Sequence, residues 1–193
     1  FDVSTYLDMK KVTNALNSHL PHDVAVASSH HVDAEFYPRR HAVSREYTYT
    51  INNSTIKRPL TRRIATTVYS HLDEAVMSRS ARLLEGSNDF ASFAGPSVLP
   101  DAPTVRRMLN IDVTRDGDSV EIWFKANAFL HQQIRRMVGT LIDLGKAKIT
   151  EQDFAELLEQ PRRSARTVLM APHGLCLTRI NYPETGPGAL PAS

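Results

Sequence analysis

The sequence concentrates its candidate chemistry in one run, 123–131, which passes from a strand-like pattern into a helical one. Lys125, Asn127 and His131 lie in that run, and Asn127 stands where an N-cap residue is expected. Because the start of a helix carries a partial positive charge and free N–H groups, these side chains predict a site for a phosphate or a carboxylate. The alternative is an ordinary capped turn without a ligand.

Arg135 lies one helical turn beyond this run, at the edge of an apolar helix face. On a wheel of roughly 100° per residue, Ile134 lies at the centre of that face and Arg135 just outside it. The neighbouring polar residues point elsewhere, to solvent or to a ligand: Arg136, Gln132 and Gln133. A guanidinium at the rim of a core needs an anionic partner or a polar cleft. In the alternative, its stem packs along the helix and its head reaches water.

Two tyrosines, Tyr47 and Tyr49, share one face of a predicted strand with Ile51. Alternating aromatic side chains on a strand are mostly core residues. The exception is a sheet face that is open to nucleic acid, where aromatic rings stack on bases. The pattern alone leaves both interpretations open.

The basic residues are unusual in kind rather than in number. The net charge is only +2, but 17 of the 23 basic residues are arginine, and Arg-Arg pairs recur, as at 106–107 and 162–163. Guanidinium groups bind phosphates bidentately and stack on bases, which an ammonium does poorly. The composition therefore favours a nucleic-acid partner. The alternative is a solvated surface on which the 21 acidic residues pair with these arginines.

Several other kinds of site and protein are excluded by the sequence. A single cysteine, Cys176, excludes an internal disulfide framework and a cysteine-based zinc cage, and it suits a reducing compartment. The histidine pairs lack metal-ligand spacing, so no metal site is expected. No Gly-rich phosphate loop or nucleophile-elbow motif occurs. The apolar runs are far shorter than the ~20 residues of a membrane helix, so no membrane association is expected.

Helices and strands must position these side chains, and the two alternate along the chain. The apolar spacing predicts helices over 5–20, 73–85, 130–144 and 151–159, and strands over 23–29, 46–52, 64–69, 105–114, 119–126 and 174–181. Asp116-Gly117 predicts a hairpin, and Gly145 a helix C-cap. The predicted class is α+β, a largely antiparallel mixed sheet with helices packed on one face.

Collinear motifs extend over nearly the whole chain, to about Pro183. The most specific are KANAFLH at 125–131 and IRRMVG at 134–139. The others are individually modest: REYTY at 45–49, NDFASF at 88–93, GTLI at 139–142, GLCL at 174–177 and NYP at 181–183. Together they resemble the tRNA pseudouridine synthase A family, also called the TruA-like family.

The resemblance implies a cofactor-free isomerisation of uridine to pseudouridine in the anticodon stem-loop of tRNA, at positions 38–40. The glycosidic C–N bond is broken, the base turns, and it is rejoined through carbon. The target nucleotide must leave its stack, and contacts in the pocket offset that cost. The resemblance also implies a cytoplasmic enzyme that binds tRNA as a homodimer.

The resemblance assigns roles to individual residues. Tyr47 matches the catalytic tyrosine that lies against the base, Arg135 the arginine that pairs with the catalytic aspartate, and Leu175 the apolar residue lining the uracil pocket. Further substrate-binding candidates are Lys125, Asn127, Phe129, His131 and Arg39. Arg39 matches an arginine that follows F-H-A in the family, although Tyr37 and Pro38 stand here in place of the His and Ala. The expected contacts to tRNA phosphates are Arg106, Arg107, Arg162 and Arg163.

The nucleophile is the largest departure from the family pattern. The family's aspartate lies in R-T-D-x-G-V-H-A, upstream of the position that matches Phe1, and no aspartate here follows Arg-Thr. We therefore expect two ferredoxin-like halves, the first incomplete: 1–40 the remainder of the N-terminal half, 41–183 the C-terminal half and 184–193 a loose tail. The chain alone is expected to be inactive. The alternative is an RNA-binding module without catalysis.

Overall fold

The computed structural model describes residues 5–163 and 165–184. Within this range the chain divides into two compact units, residues 5–42 with 182–184, and Val43–Asn181. The predicted tail, 184–193, lies outside the described residues except for its first residue. The predicted division into halves at 40/41 stays a prediction.

The first unit contains two helices, α1 (Met9–His19) and α2 (Pro38–His41). Asp8 is the N-cap of α1, because its carboxylate accepts a hydrogen bond from the Lys11 main-chain N–H at 2.8 Å. The helix predicted from residue 5 is therefore correct in type and wrong in its start.

The strand predicted over 23–29 is wrong. The Asn17 side chain accepts a hydrogen bond from the Val26 N–H at 2.7 Å and donates to the Val26 carbonyl at 2.9 Å. These are the main-chain groups that a neighbouring strand would bind. A side-chain amide from α1 therefore takes the place of a strand partner.

Six strands of the second unit form one sheet. They are β1 (Ser44–Asn52), β2 (Thr66–Thr67), β3 (Gly86–Asp89), β4 (Val105–Asp116), β5 (Ser119–Ala126) and β6 (Leu175–Asn181). Their order is β2-β1-β5-β4-β3, and β6 pairs with β1. Every pair is antiparallel except β1–β2. The predicted α+β class and largely antiparallel sheet are confirmed.

The predicted strand boundaries hold best where the hydrophobic alternation is long. The hairpin of β4 and β5 is confirmed, and its turn residue Gly117 has a φ of 55°, in the left-handed region that favours glycine. The strand predicted over 64–69 shrinks to the two residues of β2. The sequence does not predict β3, because its residues, GSND, carry no apolar alternation.

Three helices of the second unit pack on one face of the sheet: α3 (Glu74–Ala81), α4 (Gln133–Gly145) and α5 (Glu151–Glu159). Their apolar sides join the inward sheet residues in one core, in which Tyr49 and Phe124 lie with Met137 and Phe154. Within the described part of this unit, no helix covers the opposite face of the sheet. No helix in the described ranges is long and apolar enough to cross a bilayer.

The ends of α4 differ from the prediction at both termini. The helix begins at Gln133, behind Gln132 with a φ of 62°, so the predicted start at 130 is wrong. Gly145 is the last helical residue rather than a left-handed cap, and Ala147 carries the positive φ of 53°. A Cβ on Gly145 would lie 2.6 Å from the Met77 Sδ, so any larger residue there makes the Met77 side chain of α3 shift.

Candidate active site

Tyr47 and Tyr49 lie on the same face of β1 but in different surroundings. Tyr49 is completely buried, and its hydroxyl donates to the Ala171 carbonyl at 2.8 Å and shares a 2.7 Å hydrogen bond with the Thr66 hydroxyl. Burial raises the pKa of Tyr49, so the phenol stays protonated. Tyr49 is therefore a structural residue, and only Tyr47 is available to a ligand.

Tyr47 is half-buried and is oriented by one aromatic neighbour. Its ring meets that of Phe129 edge to face, with 5.2 Å between the centroids and an angle of 85°. Its hydroxyl forms no hydrogen bond with any described residue. In the sheet it pairs with Phe124 on one side and Leu177 on the other. The ring is thus fixed by apolar contacts while its hydroxyl remains free for other interactions.

Leu175 follows a turn that packs directly against Tyr49. It is the first residue of β6 and pairs with Tyr49, so both side chains lie on the helix-bearing face. A Cβ on the preceding residue, Gly174, would lie 2.9 Å from the Tyr49 ring and from the Thr50 carbonyl. The close fit of Gly174 on Tyr49 sets the position at which Leu175 enters the sheet.

Arg135, in the first turn of α4, is anchored by one nitrogen of its guanidinium. The Nε donates to the Met170 carbonyl at 2.5 Å. The two terminal nitrogens make no hydrogen bond or ion pair with the described residues. The guanidinium lies close enough to Tyr49 for its charge to oppose the rise in that residue's pKa. An arginine held in this way can offer both terminal N–H groups to a carboxylate or a phosphate.

The helix-bearing face thus brings together Tyr47, Phe129, Leu175 and Arg135. Tyr47 and Tyr49 are two residues apart, about 7 Å along the strand, and Arg135 and Leu175 are both linked to Tyr49. Aromatic and aliphatic groups beside a guanidinium with free donors can hold a planar base and an anionic group together. This is the chemistry expected for a nucleotide site.

Lys125 and Asn127 do not reach the start of α4, so that part of the prediction is wrong. Lys125 pairs in the sheet with Glu46, on the face opposite Tyr47, and its Nζ lies 3.2 Å from the Glu46 carboxylate. Asn127 lies six residues before α4, and its Oδ1 accepts from the Arg107 and Ala128 main-chain N–H groups. Asn127 therefore caps the end of the β4–β5 pair rather than a helix.

Glu46 and its neighbours form a polar cluster on the face opposite Tyr47. The Asn181 amide donates to the Glu46 carboxylate at 2.8 Å. That hydrogen bond, followed by the one from the Lys125 ammonium, holds the pKa of Glu46 below its ordinary value. The charge of Lys125 is thus largely satisfied within the sheet.

His131 connects the turn before α4 to the loop that follows residue 94. Its Nδ1 lies 2.6 Å from the Ser97 hydroxyl, and its carbonyl accepts from the Gly95 N–H at 2.9 Å. A Cβ on Gly95 would lie 2.8 Å from both His131 atoms. The helix start itself is served by the buried Gln133, whose Oε1 accepts from the Leu130 N–H at 2.8 Å. The prediction that Gln133 points to solvent or to a ligand is wrong.

The four arginines expected at phosphates divide into two kinds. Arg106 donates to the Pro103 and Val105 carbonyls and Arg163 to those of Val98 and Ala102. The side chains of Arg107 and Arg162 are exposed and bond to no described residue. Arg39 lies on α2, in the other unit.

Three residues whose contacts surround this site were not identified from the sequence as contributors: Tyr49, Arg136 and Gly139. The Arg136 Nη1 donates to the Thr167 carbonyl and hydroxyl, each at 3.1 Å, instead of pointing to solvent or ligand. Gly139 did carry a signal, because a glycine inside a helix costs about 1 kcal/mol relative to alanine and implies a close contact. In the part of the chain described, no cluster of three or more potential metal ligands occurs.

The fold and the site define an α+β protein in which an aromatic ring on the sheet, Tyr47, and an arginine with free donors on α4, Arg135, lie on the helix-bearing side. A family model described as tRNA pseudouridine synthase matches residues 80–183. The tRNA pseudouridine synthase A of Photobacterium profundum is 34% identical over 184 residues, 95% of this chain and 70% of that protein. That of Roseiflexus sp. (strain RS-1) is 38% identical over 187 residues, 92% of this chain and 66% of that protein.

A third relative gives the same result. The tRNA pseudouridine synthase A of Neisseria meningitidis serogroup C (strain 053442) is 30% identical over 184 residues, which cover 95% of this chain and 69% of that protein. The chain therefore belongs to the tRNA pseudouridine synthase family. The resemblance inferred from the sequence motifs is confirmed.

Proposed function

We propose that this chain supplies the uracil pocket and the arginine partner of an enzyme that converts uridine to pseudouridine in the anticodon stem-loop of tRNA, at positions 38–40. Membership of the family supports isomerisation of uridine in tRNA. The site assignment rests on one observation: Arg135 is anchored through Nε, and its terminal nitrogens have no ionic partner within residues 5–163 and 165–184.

The proposed reaction needs no cofactor because it rearranges one nucleotide. The bond from the ribose C1′ to N1 is broken and a bond from C1′ to C5 is formed, while N1 gains a proton and C5 loses one. Tyr47 lies against the uracil ring and Leu175 lines the pocket beside it. Arg135 pairs with the carboxylate of the nucleophilic aspartate and holds it in its ionised form.

We place that aspartate upstream of residue 1, as the family pattern implies, so this chain alone is inactive. Every acidic side chain in an ion pair within the described residues is paired with a cation other than Arg135. Release of tritium from tRNA carrying 5-tritiated uridine tests this directly. We expect release by the full-length gene product and none by the 193-residue chain. Turnover by the chain alone would refute the assignment of the nucleophile.

The role of Arg135 is tested by substitution in the full-length gene product. We expect Arg135→Ala to lower the single-turnover rate by about 10² or more, as for other preorganised charge partners, while much of the tRNA affinity remains. Arg107→Ala is the matched control, because its exposed side chain is a candidate phosphate contact, and it should weaken binding with little effect on the rate. An Arg135→Ala variant that loses binding but keeps its rate contradicts the assignment.

The remaining functional properties are proposals that derive from the family. We propose a cytoplasmic homodimer in which one tRNA crosses both subunits, and sedimentation of the full-length protein with and without tRNA tests this assembly. The second candidate function is RNA binding without catalysis, which the exposed, unbonded side chains of Arg107 and Arg162 favour. Binding of tRNA by the full-length protein without any tritium release would select that alternative.

A further inference from the structure

We propose that residues 165–171, which we call the strap, position Arg135 and Leu175 for the reaction. The strap crosses α4 and leads into the turn that ends at Leu175, and it is fixed along its length by contacts to α4 and β1. Three residues act on the site through it and are its positioning residues: Arg136, Gly139 and Tyr49. This inference rests on the proposed function, because it takes Arg135 and Leu175 as site residues.

The first contact fixes the start of the strap. The Arg136 Nη1 donates to both the carbonyl and the hydroxyl of Thr167, each at 3.1 Å. The Thr167 hydroxyl in turn donates to the Ser92 carbonyl at 3.3 Å. Two hydrogen bonds from one nitrogen of a planar guanidinium fix both the distance and the orientation of Thr167 relative to α4.

The second contact is the direct approach of the strap to the helix backbone at Gly139. A Cβ on Gly139 would lie 2.1 Å from the Val168 carbonyl oxygen and 2.9 Å from its carbon. Both atoms belong to the main chain, so no side-chain rotation can relieve the overlap. Any side chain at residue 139 must therefore push the strap away from α4.

The third contact links the strap to Arg135 itself. The Arg135 Nε donates to the Met170 carbonyl at 2.5 Å, and the Met170 N–H donates to the Arg135 carbonyl at 3.3 Å. Main chain and side chain of one residue thus both bind Met170. Displacement of the strap changes the direction in which the free terminal nitrogens of Arg135 point.

The fourth contact links the end of the strap to the pocket. The buried Tyr49 hydroxyl donates to the Ala171 carbonyl at 2.8 Å, and the Tyr49 ring lies against Gly174. Tyr49 also pairs with Leu175 across the sheet. A single side chain therefore sets both where the strap ends and where Leu175 begins β6.

The four contacts together imply that catalysis depends on the position of the strap. A misplacement of reacting groups by about 1 Å can cost on the order of 100-fold in rate. The overlap at Gly139 demands a shift of that size, because an ordinary Cβ contact begins near 3.4 Å. We expect the kcat of Gly139→Ala to fall by roughly 10- to 100-fold, with the KM and Kd for tRNA unchanged.

Gly145→Ala in the same helix is the matched control. Its Cβ would meet the Met77 side chain on the core side of α4, away from the strap. We expect this variant of the full-length gene product to lose stability while its kcat stays near that of the wild type. Equal losses of kcat in Gly139→Ala and Gly145→Ala, or no loss in Gly139→Ala, would overturn the inference.

A second substitution and a second readout keep the test valid if Gly139→Ala folds poorly. Arg136→Met preserves the aliphatic stem and removes both hydrogen bonds from Nη1 to Thr167, so its kcat should fall at constant KM, with partial recovery in Arg136→Lys. Unchanged kcat in Arg136→Met would contradict the role of the strap.

Amide hydrogen exchange of the strap does not depend on activity. We expect peptides covering 165–171 to exchange faster in Gly139→Ala and in Arg136→Met than in the wild type and Gly145→Ala. If the wild type forms no pseudouridine, the proposed function fails, whereas this exchange pattern still supports the contacts of the strap. Identical exchange in all four proteins would overturn the strap itself.

Discussion

Replacement of Tyr49 by phenylalanine removes the single oxygen atom that joins β1 to both β2 and the strap beside the candidate site. That oxygen is completely buried and takes part in two hydrogen bonds, at 2.7 Å to the Thr66 hydroxyl and 2.8 Å to the Ala171 carbonyl. The ring and its packing against Gly174 remain, so the substitution isolates the polar contribution of the hydroxyl.

The expected cost follows from these two bonds. A hydrogen bond contributes about 0.5–1.5 kcal/mol net, and a buried partner left unsatisfied raises that cost. The Thr66 hydroxyl keeps a 3.4 Å contact to the His173 ring, whereas the Ala171 carbonyl loses the hydrogen bond from Tyr49. We expect Tyr49→Phe to lower the free energy of unfolding by ~2 kcal/mol, which for a protein of this size shifts Tm by about 4–8 °C.

Tyr47→Phe is the control, because it makes the same chemical change two residues away on the same face of β1. The Tyr47 hydroxyl bonds to no described residue, so its loss should change the unfolding free energy by less than about 0.5 kcal/mol. Urea unfolding of the three proteins, followed by circular dichroism, measures both values. Equal losses for the two variants would refute the division into a structural Tyr49 and a ligand-accessible Tyr47.

Two further predictions concern charged side chains. Hydrogen bonds from Asn181 and Lys125 hold the folded-state pKa of Glu46 below its ordinary value of 4.5, so the stability that its charge provides is present above about pH 4.5 and is lost as the pH falls through the lowered pKa. In urea unfolding, the free energy of unfolding of Glu46→Gln should therefore lie below that of the wild type at pH 7, and the difference should narrow towards pH 3. A difference that stays constant with pH contradicts this prediction. Arg107→Ala should reduce the slope of the logarithm of tRNA affinity against the logarithm of salt concentration by roughly 0.7–0.9. Arg106→Ala should lower the free energy of unfolding and leave that slope unchanged. Equal slopes for the two variants contradict the distinction between these arginines.

The sequence predicted the fold better than it predicted the site, and particular residues show why. The alternation over 46–52 placed both tyrosines on one face correctly, because strand periodicity is a local property. Which tyrosine is buried depends on the strap and on β2, which are distant in sequence. The helical pattern that follows Asn127 suggested a helix start there, yet a left-handed Gln132 and the buried Gln133 delay the helix to residue 133.

The Arg-Arg pairs show why composition overstates the surface available to phosphates. In four pairs, one arginine donates to a main-chain carbonyl through a terminal guanidinium nitrogen: Arg62, Arg106, Arg136 and Arg163. The other arginine of each pair has terminal nitrogens that bond to no described residue: Arg63, Arg107, Arg135 and Arg162. Adjacent side chains point to opposite sides of a strand and about 100° apart on a helix, so two neighbouring guanidinium groups face different surroundings. Each of these four pairs therefore has one guanidinium whose terminal nitrogens bind the main chain and one whose terminal nitrogens can meet an anion.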